Sequence, residues 1–299
     1  MITLFACPKP FTEPRIAEVQ RKAIQSWLLL KKVSEIILIG DDELVAEVAA
    51  EYNLKHIPYL EKTAHGSPMV SDLFYKAKNA AISDILMYVN SDILLTNKVI
   101  DAVDIVKQAF NKYLIIISPY LTDINGLTIQ EGYENRAFEH IVNQPIPTGA
   151  DVFIFPKTIY DEIPPFGLGR CFWDFWLISD PLLKGIPVID ATDFAPTFHP
   201  VDESSTHYVE YTQREAPVLA EKSISARSQA FNMQMNINFT LTDSAHLLRR
   251  HDVPYKLSSE GQIIQQKSMW RIRMKQKIGL WMDKTAPIRR RIGLYRWWK

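Results

Sequence analysis

Along the first 120 positions, compact apolar runs alternate with longer stretches whose apolar residues recur every three or four places. Residues 2–6, 36–39, 55–58, 85–89 and 113–118 read as short strands, most of them apolar on both faces. Between them, Ile16, Val19, Ala23, Trp27 and Leu30 share one helical face beginning near Thr12. Further helices are predicted over 43–52, 68–83 and 97–110. The second half is less regular. Residues 127–131, 151–155 and 187–190 read as strands, and 172–178 as an aromatic helix that follows a loop holding Pro164, Pro165, Gly167 and Gly169. A helix rich in Ala and Gln is expected over 214–235.

Short apolar strands alternating with helices predict an α/β fold, Rossmann-like, with a mostly parallel central sheet and helices on both faces. Such sheets bind ligands just beyond the carboxyl ends of their strands. That rule selects residues 6–10, 40–43 and 90–92 before any motif is considered.

Composition narrows the class. The 299 residues are 47% hydrophobic and 23% charged, with a formal net charge of zero, as in a folded globular chain without a global bias toward nucleic acid. Two cysteines, Cys7 and Cys171, are too few for a four-thiolate zinc site or a disulfide scaffold, and read as free thiols in a reducing cytosol. The amino terminus reads as a first strand rather than a signal peptide, and no apolar run approaches the ~20 residues needed to span a bilayer.

Asp92 sits just past a buried strand in Met87-Tyr88-Val89-Asn90-Ser91-Asp92-Ile93. A carboxylate there suits a hard cation, Mg²⁺ or Mn²⁺, bridging protein to a substrate diphosphate. The competing reading is that Asp92 caps the following turn or helix. Asp41 and Asp42 follow the second strand at the same edge, where an acid can bond a ribose hydroxyl or a base N–H. They can also serve as an N-cap for the helix from Glu43. Neither glycine-rich phosphate fingerprint is present, so a bound diphosphate needs a metal and basic side chains.

The order of Asp41-Asp42, then Ala77-Lys78-Asn79-Ala80-Ala81, then Tyr88-Val89-Asn90-Ser91-Asp92 resembles the family 2-like glycosyltransferases of GT-A fold. The resemblance implies an enzyme that moves a sugar from a nucleoside diphosphate donor to a hydroxyl acceptor. It places Asp41 and Asp42 on the nucleoside, Asn90 and Ser91 at the donor, and Asp92 on the metal. Asn90 stands where the family's first Asp does, and Lys78 where Arg is common. Residues 148–157, with Asp151, are similar to the segment lining the donor sugar. Residues 164–170 with Trp173-Asp174 are similar to the region carrying the catalytic base, which implies Asp174 as the base of an inverting reaction. Arg170 is expected at the diphosphate or paired with Asp174. His199 or His207 is expected near the metal. Alternatives are a degenerate transferase kept as a binding or scaffolding module, which Asn90 would favour, and a nucleotidyltransferase, for which Cys7-Pro8-Lys9-Pro10 offers a single lysine.

The resulting division is a nucleotide-sugar-binding half over 1–120, an acceptor and catalytic half over 121–266 in the same domain, and a tail over 267–299. The tail holds eleven Lys and Arg against one acid, Asp283, and four of the seven tryptophans. Basic residues interleaved with tryptophan predict an interfacial segment on an anionic membrane, at the cytoplasmic face, in preference to nucleic acid or to a helix packed on the domain. The sequence does not name the acceptor hydroxyl; a lipid-linked molecule and a polysaccharide are the candidates.

Overall fold

The computed structural model describes residues 1–63, 66–143, 145, 150–169, 173–201, 253–274 and 277. The elements run β1 (Ile2–Ala6), α1 (Pro14–Leu28), β2 (Val33–Ile39), α2 (Val45–Glu51), β3 (Lys55–Ile57) and α3 (Val70–Ala80). Then come β4 (Ile85–Val89), β5 (Leu94–Leu95), α4 (Lys98–Ala109), β6 (Leu114–Ile117), β7 (Tyr120–Thr122), α5 (Tyr133–Glu139) and β8 (Ile141–Asn143). The order closes with β9 (Val152–Pro156), α6 (Trp173–Lys184), β10 (Val188–Asp190), β11 (Thr197–Pro200), β12 (Tyr255–Leu257) and β13 (Ile263–Gln265).

Among the described residues, nine strands form one sheet in the order β13-β12-β10-β6-β9-β4-β1-β2-β3. The predicted mostly parallel α/β architecture is what forms. Strands β3, β2, β1 and β4 are mutually parallel, as are β6, β10 and β12. β9 runs antiparallel between β4 and β6, and β13 antiparallel beside β12. Strand alternation divides the core. Met87 and Val89 of β4 face the layer of α1, α2 and α4, whereas Leu86 and Tyr88 face α3 and α6. Strands buried on both faces need no polar positions, which is why their sequence runs are nearly continuous in Ile, Leu and Val.

The turn after β4 is held from α1. Glu13 opens that helix, its carboxylate accepting the Arg15 and Ile16 N–H groups, with Pro14 in the first turn. One helix face then delivers Ser26 and Trp27. The Trp27 Nε1 donates to the Ile93 carbonyl at 2.9 Å, and Leu95 N donates to Ser26 Oγ at 3.0 Å. From the other side the Tyr133 hydroxyl donates to the Leu95 carbonyl at 2.7 Å. The backbone just past Asp92 is therefore fixed by three buried side-chain hydrogen bonds.

Two expectations change. Residues 127–131 form no strand. Burial alternates there as in a strand, with Leu127 inside and Thr128 exposed, but the segment leaves a turn at Gly126 (φ +68°), and among the described residues its backbone bonds are local, as Leu127 N to the Ile124 carbonyl. Its apolar residues instead fill a satellite cluster with Ile124, Tyr133 and Phe198. A second sheet in the order β5-β11-β7-β8 is also present, built from strands of two to four residues, too short to show a period. The helix expected over 214–235 lies outside the described residues. Residues 269–274 are helical, with Ile272 buried in the α3–α6 side of the core and Met269 packed beside it.

Candidate functional site

The carboxyl ends of β1, β2 and β4 and the amino end of the antiparallel β9 converge on one edge. β4 and β9 pair with Val89 opposite Val152, so the next residue outward on each, Asn90 and Asp151, meet. The Asn90 N–H donates to the Asp151 carbonyl at 3.0 Å, and the Asn90 Nδ2 donates to Asp151 Oδ1 at 2.7 Å. Two residues before Asn90, and so on the same face, Tyr88 sends its hydroxyl to Asn90 Oδ1 at 2.7 Å. The Asn90 amide is thus clamped at both ends. Its Nδ2 faces a carboxylate, which only a donor can satisfy.

Ser91 and Asp92 are the middle of a turn closed by the Ile93 N–H on the Asn90 carbonyl at 3.1 Å. Ser91 is buried in it. Among the described residues Asp92 makes no capping hydrogen bond, and α4 begins six residues later. The capping reading is therefore set aside for Asp92. Its recorded neighbour is His199. β11 pairs antiparallel with β5, Thr197 opposite Leu95 and Phe198 opposite Leu94, and one more step brings His199 level with the turn. The His199 Nε2 stands 3.8 Å from Asp92 Oδ2. Its Nδ1 lies 2.7 Å from the Pro200 carbonyl oxygen, which can only accept, so Nδ1 carries the proton and Nε2 is free to ligate when the ring is neutral. A carboxylate oxygen and an imidazole nitrogen at this spacing are a donor pair of the kind that suits a divalent cation. Among the described residues no third His, Cys, Asp or Glu joins them.

The electrostatics of the edge are those of crowded acids. Burial pushes the Asp151 carboxyl up to about 6; the Asp92 charge adds to this, while His199 and the Asn90 hydrogen bond oppose it. Burial also pushes Asp174 up to about 7, against the backbone N–H of Phe175 and with a further push from Asp151. Asp174 lies in the first turn of α6, whose Trp173 packs edge-on against Tyr88 at 5.4 Å and tilted on Phe153 at 5.8 Å. The helix start is thereby seated on the same tyrosine that anchors Asn90. The buried Tyr88 hydroxyl is itself driven well up, first by desolvation and then by Cys7, Asp151, Asp92 and Asp174.

Asp41 and Asp42 occupy the end of β2 but make no N-cap. α2 starts at Val45 without a side-chain cap, and both carboxylates are instead drawn to the Lys62 ammonium at 2.8 and 3.1 Å. The Lys62 hydrogen bond holds the Asp41 carboxyl below its ordinary range. Gly40 precedes the two aspartates in a backbone conformation that favours glycine. It has φ +138°, its N–H bonds to the Ile57 carbonyl, and a Cβ there would lie 3.7 Å from the Cys7 sulfur. Burial, then the two aspartates, pushes that thiol up to about 12, so it is no nucleophile.

The structure therefore groups Asn90, Ser91, Asp92, Asp151, Asp174 and His199 about β4, with Asp41 and Asp42 two strands away. Arg170 and His207 lie outside the described residues, as do 146–149. Lys78 reaches the Tyr160 carbonyl at 3.4 Å on the flank of α3, away from the strand ends. Sequence reasoning missed Tyr88 and Lys62. Tyr88 was detectable as the same-face neighbour of Asn90; Lys62, from an irregular loop, carried no local signal.

No protein-family model matches the chain, and no curated protein sequence matches it. Among solved structures it is similar to residues 1–349 of S. aureus TarS in complex with UDP-GlcNAc, at 15% identity and TM-score 0.46, covering 79% of this chain and 72% of that one. A longer TarS chain is matched over 44% of its length. Glucosyl-3-phosphoglycerate synthase from Mycobacterium tuberculosis, in complex with Mn²⁺, UDP and glucosyl-3-phosphoglycerate, is similar at 11% identity and TM-score 0.44, covering 80% and 81%.

The Asn90–Asp151 clamp has a direct consequence. Asn90→Asp sets two carboxylates 2.7 Å apart, where one must stay protonated. A raised folded-state pKa costs stability as pH climbs above the unfolded carboxylate value. Urea denaturation should show Asn90→Asp close to wild type at about pH 4, near the unfolded carboxylate value, and destabilised by about 1–3 kcal/mol at pH 8. Equal stability of the two proteins at both pH values would contradict the clamp.

Proposed function

We propose that the chain transfers a glycosyl group from a nucleoside diphosphate sugar to a hydroxyl acceptor. The observation that carries this is the Asp92–His199 pair, set beside the Asn90–Asp151 clamp at the ligand-binding edge of a parallel sheet. Of the motifs that resemble family 2-like glycosyltransferases, Asp41-Asp42 and Asn90-Ser91-Asp92 lie at that edge, while Ala77-Lys78-Asn79-Ala80-Ala81 closes the helix before β4. Asp92 and His199 would hold the cation, and a carboxylate with an imidazole suits Mn²⁺ better than Mg²⁺. When bound, such an ion neutralises the diphosphate leaving group. Asp41 and Asp42, steered by Lys62, take the ribose or base. Residues 1–120 then serve the donor and 121–266 the acceptor.

Asp174 is the proposed base. It takes the acceptor hydroxyl proton as that oxygen attacks the anomeric carbon from the face opposite the departing diphosphate, which inverts the centre. A carboxyl pushed up to about 7 is a stronger base than an ordinary aspartate and is half ionised near neutrality.

The tail reading gains a physical basis from 269–274. Met269 and Ile272 turn inward, while Trp270 is 67% exposed and Met274, one helical turn on, 38%. With Arg271, this outward face begins the stretch of eleven basic residues and four tryptophans. We read it as the part that rests on an anionic membrane at the cytoplasmic side. No helix among the described residues is long and apolar enough to cross a membrane.

Calorimetry with UDP and GDP should show binding that strengthens with Mn²⁺ and collapses in Asp92→Ala. Unchanged affinity in that variant would remove Asp92 from the metal.

Turnover should rise with pH through about 7 and then level, because the base must be ionised. Asp174→Asn should abolish that rise and lower kcat by roughly 10²–10⁴-fold with donor affinity nearly intact. Near-normal turnover would pass the role to Asp151.

Sedimentation with vesicles tests the tail. Full-length protein should partition onto phosphatidylserine-containing vesicles and leave them at high salt, each basic residue contributing about 1 kcal/mol near the surface. Trp270→Ala with Met274→Ala should weaken this, whereas equal partitioning onto neutral vesicles would refute it. Substitution is the sound test, since deleting the helix also removes Ile272 from the core.

A further inference from the structure

A second cavity, of about 480 Å³, runs along the flank of α3 and shares no residue with the site above. One helical face forms its wall: Ser71, Tyr75, Lys78 and Asn79 recur at three- to four-residue spacing, over about 12 Å of helix. The loop after β9, from Lys157 to Ile163, forms the opposite wall. Leu86, Phe74, Phe155 and Tyr160 make the floor, and their rings already pack on one another, Phe155 and Tyr160 edge-on at 5.0 Å. The floor is therefore rigid and apolar.

The rim separates satisfied groups from unsatisfied ones. Asp72 is taken by Lys76 at 2.6 Å, Asp161 by Lys184 at 3.2 Å, and the Lys157 ammonium by the Ala81 carbonyl at 2.7 Å. Lys78 faces the Tyr160 carbonyl. The side chains of Ser71, Asn79, Glu61 and Glu162 and the Tyr75 hydroxyl have no hydrogen-bond or ionic partner among the described residues, although the Glu61 backbone is bonded to Asp72 and Met69, and Tyr75 is 65% exposed. A ring with an open face, an amide, two hydroxyls and two carboxylates suit a ligand with apolar C–H faces and many hydroxyl donors. Four lining carboxylates against two ammoniums disfavour a phosphate or nucleotide. The size lies in the range of small-ligand pockets.

We infer that this groove binds a neutral saccharide, seating it against Tyr75 with its hydroxyls on Asn79, Glu61 and Glu162. The choice of ligand class rests on the transferase reading: the groove would hold an arm of a glycan acceptor outside the transfer site. The two lie toward opposite ends of β4: Leu86 lines the groove, and Asn90 at the site lies about 13 Å further along the chain.

Saturation-transfer NMR on the full chain with maltose, lactose and chitobiose tests this, with UDP and Mn²⁺ titrated in parallel. At least one disaccharide should bind with a millimolar Kd. Tyr75→Ala, an exposed change that leaves the fold intact by circular dichroism, should weaken it about fivefold or more. Glu162→Gln should weaken it as well, and UDP affinity should not move in either variant. Failure of every disaccharide to bind at up to about 10 mM overturns the inference. So does binding that survives Tyr75→Ala, or that is lost only in Asp92→Ala. UDP binding that depends on Asp92 is a separate readout, so the donor site and the groove can fail independently.

Discussion

One reversed strand organises the candidate site. In a wholly parallel sheet every strand leaves the ligand edge by its carboxyl end, and only residues that follow strands reach it. β9 enters antiparallel between β4 and β6 and so brings its leading residue, Asp151, to that edge. The consequence is a backbone pair and a side-chain pair between Asn90 and Asp151, with Asp151 N also bound to the Ile117 carbonyl at 3.1 Å. Tyr88 locks the other end of the Asn90 amide, Trp173 packs on Tyr88, and α6 thereby starts beside the same network. A slip of β9 by one residue would turn its side chains to the other face and break each of these contacts together.

The residue at 90 acquires a physical reason from this arrangement. An aspartate there would confront Asp151 at hydrogen-bond distance in a desolvated corner. The neutral amide gives Asp151 a donor and Tyr88 an acceptor at once, with no charge to desolvate. Asn90 therefore need not signal a decayed metal site. It removes a repulsion and leaves Asp92, on the turn beyond, as the carboxylate available to a cation.

Periodicity along the chain made the parallel strands, their helices and the ligand edge legible, because strands buried on both faces are apolar throughout and helices bury one stripe. Asp92, Asp151 and Asp174 were reachable as acids beside apolar runs. What joins them was not. The direction of β9 is a tertiary fact that residues 151–155 do not encode locally. The position of His199 depends on a pairing with the two-residue β5, which no pattern can announce. Residues 127–131 show the reverse failure: their alternation imitates a strand, yet among the described residues no strand pairs with them.

Charge balance supplies the last step. Asp92, Asp151 and Asp174 surround Tyr88, and Asp41 with Asp42 close the neighbouring strand end. Among the described residues, the basic side chains paired with these acids are Lys62, shared by Asp41 and Asp42, and His199 beside Asp92. A nucleoside diphosphate approaching this edge adds negative charge to a region where burial already lifts two carboxyls toward neutrality. Protonation alone would relieve the repulsion but would also disable a base. In the proposed reading, Asp92 and His199 would hold a divalent cation that offsets the added charge without taking a proton, and Asp174 would stay free to titrate near neutral pH. On that reading, donor and metal binding are coupled, because each carries the charge that the other needs at a crowded acidic edge.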